Sequence, residues 1–192
     1  MKNNRHGQST PISKELYKIL RNGLQLERER LILDIAYYTG ERWGAIVQLQ
    51  VTDCFMPDGQ AREFITFRSR TRKGKETRQC PMAEGLRLRL PCYSPPKDGW
   101  LFPSPYPGKE DRHITFRAAS LAFGKALEKC GLEEAGISTH GTRHGFITSL
   151  HEAGFSVATI QAITGHKSLS SLQRYVHVDK ESQLKAIESA VG

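Results

Sequence analysis

Residues 139–144 read Thr-His-Gly-Thr-Arg-His, residues 165–167 Gly-His-Lys and residues 174–176 Arg-Tyr-Val. This last quarter of the chain sets His140 and Arg143 three residues apart, adds a second histidine at His166, and ends on Tyr175, nine residues beyond it. Fixed positive donors, proton carriers and a nucleophilic oxygen are the groups that phosphate chemistry needs. Glu152 is the one carboxylate between His140 and Tyr175, so the stretch is a poor metal site and none is expected.

His140 and Arg143 share one face of a predicted helical turn. The helix start adds its own positive end, which favours a phosphate there. Arginine's planar fork can bind two phosphate oxygens at once. Taken alone, a His-x-x-Arg pair is weak evidence, and a salt-bridged surface helix is the commoner reading. Gly165 is a natural left-handed helix terminator that turns His166 out of the helical ladder. Taken singly, His166 could cap a helix and Tyr175 could be a core residue. A tyrosine nucleophile, with an ordinary pKa of about 10, needs nearby cations and a base to take its proton.

Working outward, the spacing predicts a helix over Ser13–Leu20 with Ser13 as N-cap, and a second from Leu24 to Tyr38 with Leu31, Ile32, Ile35 and Tyr38 on one face and Gly40 beyond its end. A third is predicted from Arg42 to Gln50, with Ile46 and Leu49 inward. Phe64–Phe67 and Gln79–Met82 have strand composition and flank a Gly-centred cationic turn, which makes a β-hairpin. Pro81 marks the second strand as an edge or its end. Ser94–Gly108 reads as a loop anchored by Trp100-Leu101-Phe102. Ile114–Cys130 returns to helical spacing, with Phe116, Leu121, Phe123 and Leu127 as packing residues. Helices follow over 140–153, 157–164 and 170–177, and a last amphipathic one over 179–191 carries Leu184, Ile187 and Val191 on one stripe. The fold class is mainly α with a small antiparallel β-sheet.

The 192 residues fit one ordinary domain. A formal charge of +8 and a pI near 9.5 favour a polyanionic partner. Cys54, Cys80, Cys92 and Cys130 are scattered without a Cys-x-x-Cys pair, which argues against a disulfide framework or a zinc site and for a reducing cytoplasm. No apolar run approaches a membrane span, and Met1–Thr10 lacks the apolar core of a signal peptide. Residues 1–12 are expected to be a disordered or linker tail.

Taken together, His140-x-x-Arg143, Gly165-His166 and Tyr175 within Gln173-Arg174-Tyr175-Val176-His177 resemble the tyrosine recombinase family of phage integrases and Xer-type enzymes. Thr39-Gly40-Glu41-Arg42 matches the family's earlier Thr-Gly-x-Arg segment, and Leu49–Asp53 its Leu-x-x-x-Asp. Lys73 falls where the family carries a hairpin lysine some eight residues before a proline, here Pro81; Lys75 is the next candidate. The resemblance runs from about Ser13 to the C-terminus. It implies a catalytic set of Arg42, Lys73, His140, Arg143, His166 and Tyr175, with no cofactor.

In that set Tyr175 attacks a scissile phosphodiester, Arg42 and Arg143 hold its non-bridging oxygens, and His166 donates a further hydrogen bond. His140 is the general base and Lys73 the general acid. Arg68, Arg70, Arg72, Lys75, Arg78 and Arg174 are expected to follow the DNA backbone, and His144 and His177 to be supports. The sequence departs from the family at Ala45, where a supporting Glu is usual.

The domain plan implied is a catalytic domain over 13–177 and a C-terminal helix over 178–192, docked in its own domain or passed to a neighbour. Nothing before Ser13 could form the family's N-terminal clamp domain, which points to a fragment or to a minimal enzyme. The expected partner is double-stranded DNA with a specific recombination site, bound as a tetramer with the isolated domain able to be monomeric, in the cytoplasm at the nucleoid. Two rivals share the residues: a type IB topoisomerase, and a non-catalytic DNA-binding regulator.

Overall fold

A computed structural model describes residues 9–71, 76–109, 111–166, 168, 170–173 and 188. Helices α1 (Lys14–Gly23) and α2 (Glu27–Thr39) open the fold. Short turns of helix follow as α3 (Trp43–Ile46) and α4 (Val51–Cys54), then strands β1 (Phe64–Phe67) and β2 (Arg78–Pro81) and a short α5 (Glu84–Arg87). After a long loop come α6 (Phe116–Lys129), α7 (His140–Glu152), α8 (Val157–Thr164) and α9 (Ser170–Gln173). Mainly helical with one two-stranded antiparallel sheet, the architecture is the one expected. No helix among the described residues is long and apolar enough to cross a membrane.

α2 is the central element. Leu31, Ile32, Leu33, Ile35 and Ala36 are buried around nearly its whole circumference, because α1, α3, α6 and α7 all pack on it. An all-round apolar helix belongs in the middle of a fold. Its buried Asp34 accepts hydrogen bonds from the Tyr17 hydroxyl (2.7 Å) and Arg21 Nε (2.9 Å), so the charge is not left alone in the core. Side-chain caps start three helices: Ser13 accepts from the Leu16 amide, Thr115 from Ala118 and Ser156 from Thr159. A second, smaller apolar cluster of Ile147, Ile160 and Leu172 ties α7, α8 and α9 together.

The hairpin pairs Phe64 with Pro81 and Phe67 with Arg78. Ile65, Phe67 and Cys80 turn into the core, and Pro81, which has no amide hydrogen to donate, closes β2 as expected. The second strand begins one residue earlier than predicted, at Arg78.

Three expectations need correction. The helix predicted from Arg42 to Gln50 stops at Ile46. Beyond it the backbone pairs with the loop: the Leu101 amide donates to Leu49 O (2.8 Å) and the Val51 amide to Gly99 O (2.9 Å). That pairing with residues 99–101 takes groups a continuing helix would have used. Phe116 and Leu121 of α6 are exposed rather than packed; Ala119, Phe123 and Ala126 form the inward face. Residues 9–12 are not a free tail. Ile12 is buried, Thr10 donates backbone and hydroxyl bonds to Gly136 and Ala135, and the Ile12 amide donates to Gly141 O. This segment lies so close on α7 that a Cβ at Gly145 would collide with the Ile12 backbone, which gives that glycine its place. The C-terminal helix expected over 178–192, with its stripe of Leu184, Ile187 and Val191, lies outside the described residues apart from Glu188.

Candidate active site

The site is assembled at the junction of α2, α3, α7 and α8. Gly40 ends α2 in the left-handed conformation, φ 61°, the region that disfavours residues with a Cβ. A Cβ there would also strike the Phe146 ring of α7. The sharp exit sends Glu41 into the interior and leaves Arg42 half-buried as the N-cap residue of α3.

From the other side, α7 begins at His140 and presents Arg143 one turn later. The Arg143 guanidinium is buried. Its Nη1 donates to Gly40 O (2.7 Å) and its Nη2 to Thr164 O (3.2 Å) at the end of α8. Gly165 then adopts φ 65° and returns the chain so that His166 meets Arg143. A pocket of about 160 Å³ is lined by Arg42, Trp43, Gly44, Phe116, Thr139, His140 and Arg143. Arg42, His140 and Arg143 therefore converge, and His166 joins them through Arg143.

Short polar contacts tie His166 to α8 and to Arg143. Thr164 has one hydroxyl proton, which it donates to Ile160 O (2.6 Å). Its oxygen lies 2.6 Å from His166 Nδ1. Arg143 Nη2 lies 3.0 Å from Nε2 and 3.2 Å from Nδ1. These contacts pack His166 against Arg143.

Burial, then the charges of Arg143 and Arg42, push the His166 pKa down to about 3. His140 is shifted the same way by partial desolvation, then Arg42 and Arg143. Both shifts favour the neutral imidazole. Fixed cations beside neutral bases suit an anion whose chemistry includes taking a proton from a nucleophile.

The other predicted residues divide. Arg70 is exposed. Arg68 is partly exposed but donates Nε to Asp53 (2.8 Å), so it is braced by a carboxylate as it faces outward. His144 is buried, with Nδ1 2.8 Å from Ser9 O, a contact that holds the N-terminal segment on α7. Arg78 contradicts expectation. It is 8 % exposed, donates to Glu41 Oε2 (3.0 Å) and Thr39 O (3.0 Å), and stacks on Phe67; an arginine held this way does not follow a DNA backbone. Lys73, Arg72, Lys75, Arg174, Tyr175 and His177 lie outside the described residues.

Sequence reading passed over Glu41, taken as the variable position of Thr-Gly-x-Arg, and Thr164. A charged residue wedged between a helix-ending glycine and the candidate arginine Arg42 is the available signal for the first. Nothing local marked the second.

A model of the phage integrase family matches residues 12–182. A tyrosine recombinase of Pseudothermotoga lettingae is 29 % identical over 179 residues, covering 90 % of this chain and 57 % of that protein. The tyrosine recombinase XerA of Pyrococcus furiosus is 31 % identical over 166 residues, covering 85 % of this chain and 54 % of that protein. Among solved structures, the XerH site-specific recombinase bound to its difH substrate in a pre-cleavage complex aligns with a TM-score of 0.68 at 20 % identity, over 98 % of this chain and 57 % of that one. The chain spans about half the length of the curated relatives it matches. With its motifs, its fold and nearly its whole length matched, the chain belongs to the phage integrase family, the tyrosine recombinases.

Proposed function

We propose that this chain cleaves and rejoins duplex DNA at a specific site through a covalent 3′-phosphotyrosyl intermediate. The observation that carries the reading is the convergence of Arg42, His140 and Arg143 on one pocket, with His166 locked to Arg143. Arg42 and Arg143 neutralise the two non-bridging oxygens as charge builds in the pentavalent transition state. No described residue hydrogen-bonds the Arg42 guanidinium, which leaves its fork available to an incoming phosphate. Preorganised donors of this kind contribute roughly 10²–10³-fold each.

Neutral His140 takes the phenolic proton of Tyr175 as the oxygen attacks phosphorus. The P–O5′ bond breaks, and Lys73 protonates the departing 5′ oxygen, which leaves a 5′ hydroxyl. Attack by the 5′ hydroxyl of a partner strand reverses the step and releases Tyr175. One phosphodiester replaces another, so no energy source is consumed. His166 acts by fixing Arg143.

Arg68, Arg70, Arg72, Lys75 and Arg174 follow the backbone; Arg78 is withdrawn from that role by its burial. Such contacts position the duplex without reading sequence. The DNA-bound state of the similar XerH recombinase supports a duplex partner. The reading includes a homotetramer on DNA, the 178–192 segment docked in cis or passed between subunits, and residence at the nucleoid.

The test is incubation with duplex fragments tiled across the DNA flanking its gene, each pre-nicked so that the cleaved 5′ end diffuses away. A band that survives SDS and is lost on protease treatment supports the reading. Sequence-independent relaxation of supercoiled plasmid would move it to a topoisomerase, and tight binding with no covalent band on any fragment would move it to a regulator.

A further inference from the structure

Glu41 is 1 % exposed and stands in a nest of cations. Its Oε1 accepts from the Arg42 amide (2.9 Å) and lies 4.0 Å from Arg143 Nη1. Its Oε2 accepts from Arg78 Nη1 (3.0 Å). Arg78 in turn donates Nη2 to Thr39 O (3.0 Å), and the Glu41 amide donates to Thr39 Oγ1 (3.2 Å). Every residue from Thr39 to Arg42 is therefore held, either by this ion pair or, at Gly40 O, by Arg143.

We propose that Glu41, clamped by Arg78, is the positioning residue of the phosphate site: it fixes the backbone that carries Arg42 and screens the repulsion between the site's guanidinium groups. Ala45 provides no carboxylate for either task, and the chain instead places one a single residue before Arg42. Without that negative charge, three guanidinium groups would crowd one water-poor region, where like charges repel strongly. The inference rests on the functional reading above, since it concerns how that site is held.

The chemistry of the contact supplies a discriminating test. A carboxylate has two acceptor oxygens, and two separate donors use them. An amide has one oxygen and an NH2 group, so Glu41→Gln must set a donor against either the Arg42 amide or Arg78. Glu41→Asp keeps both oxygens on a shorter arm. If Glu41 merely filled space, Gln, its near isostere, would be tolerated better than Asp. If it positions Arg42 and Arg143, the order reverses.

The experiment measures the single-turnover rate of covalent-adduct formation at saturating pre-nicked duplex, beside DNA affinity, for wild type and both variants. The expected result is a loss on the order of 10²-fold for Glu41→Gln, as for an ångström-scale misplacement, with a smaller loss for Glu41→Asp and unchanged affinity. Gln equal to or better than Asp overturns the proposal, as does a loss carried wholly by affinity. Should Glu41→Gln fail to fold, Arg78→Lys asks the same question, because one ammonium cannot replace a fork that serves both Glu41 and Thr39 O. A wild-type saturating rate in that variant overturns the proposal, and a slowed rate at unchanged affinity supports it. Absence of any adduct in the wild type counts instead against the functional reading, which keeps the two failures apart.

Discussion

The Arg143 guanidinium donates to the carbonyl oxygen of Gly40 at 2.7 Å, across 103 residues of chain. That bond joins the two halves of the site: the α2 exit that carries Arg42, and the α7 start that carries His140. It also places a buried cation against a backbone acceptor, so Arg143 braces the fold at the place where the proposed phosphate site lies.

Arg143→Lys should therefore lose on two counts. An ammonium cannot serve Gly40 O, Thr164 O and His166 together, and a charged hydrogen bond contributes about 1.5–3 kcal/mol. Urea unfolding should show a stability loss of that order, and adduct formation should fall roughly 10²–10³-fold. Full activity in Arg143→Lys would show that the fork is not needed.

Gly40→Ala puts a side chain where φ is 61° and the Phe146 ring already sits. The backbone term alone costs about 1–2 kcal/mol, and overpacking adds about 1–3 kcal/mol. The urea midpoint should fall at an unchanged slope. A variant as stable as wild type would contradict the tight approach of α7.

The N-terminal segment makes an equally direct prediction. Ile12→Ala should cost about 2–5 kcal/mol, as for a buried large-to-small change, although its position suggests a dispensable tail. An unchanged midpoint would show that residues 9–12 are not docked on α7.

The pH dependence of stability follows from His166, whose folded pKa of about 3 lies below the ordinary 6.5. Between these values the unfolded chain binds a proton that the folded protein refuses. Stability should therefore fall as pH drops from about 6.5 toward 3, at up to about 1.4 kcal/mol per pH unit for one proton, and this contribution should level off below the folded pKa. His140, shifted in the same direction, adds to the slope. Urea melts from pH 7 to pH 4 should be flatter for His166→Asn. An identical slope would place the uptake elsewhere.

Much of the site was legible because its chemistry is written in short motifs. Thr39–Arg42, His140-x-x-Arg143 and Gly165-His166 each combine a helix boundary with a candidate site side chain, and boundaries are marked locally by Gly40, Gly165 and the cap Ser13. What escaped were long-range pairings with no local mark. Arg78 reads as one more basic hairpin residue until Glu41 is found behind it, 37 residues away. The apolar run after Ile46 keeps helical spacing, but its backbone groups are taken by residues 99–101. Helical periodicity in α6 likewise could not say that Phe116 borders the pocket instead of the core.

The general-acid assignment has its own chemical test. Lys73→Ala should slow cleavage of an ordinary strand by about 10²–10⁴-fold, and a 5′-thio leaving group, which needs little protonation, should restore the rate. If the thio substrate gives no rescue in Lys73→Ala but does so in Lys75→Ala, the acid is Lys75.

The most direct test of the central claim is the identity of the covalent bond. Wild-type protein trapped on a pre-nicked site should yield, after nuclease and protease digestion, a peptide carrying a nucleotide on the Tyr175 oxygen by mass spectrometry, and Tyr175→Phe should bind the same DNA with wild-type affinity and yield none. A nucleotide on any other side chain, or an adduct that persists in Tyr175→Phe, would contradict the account.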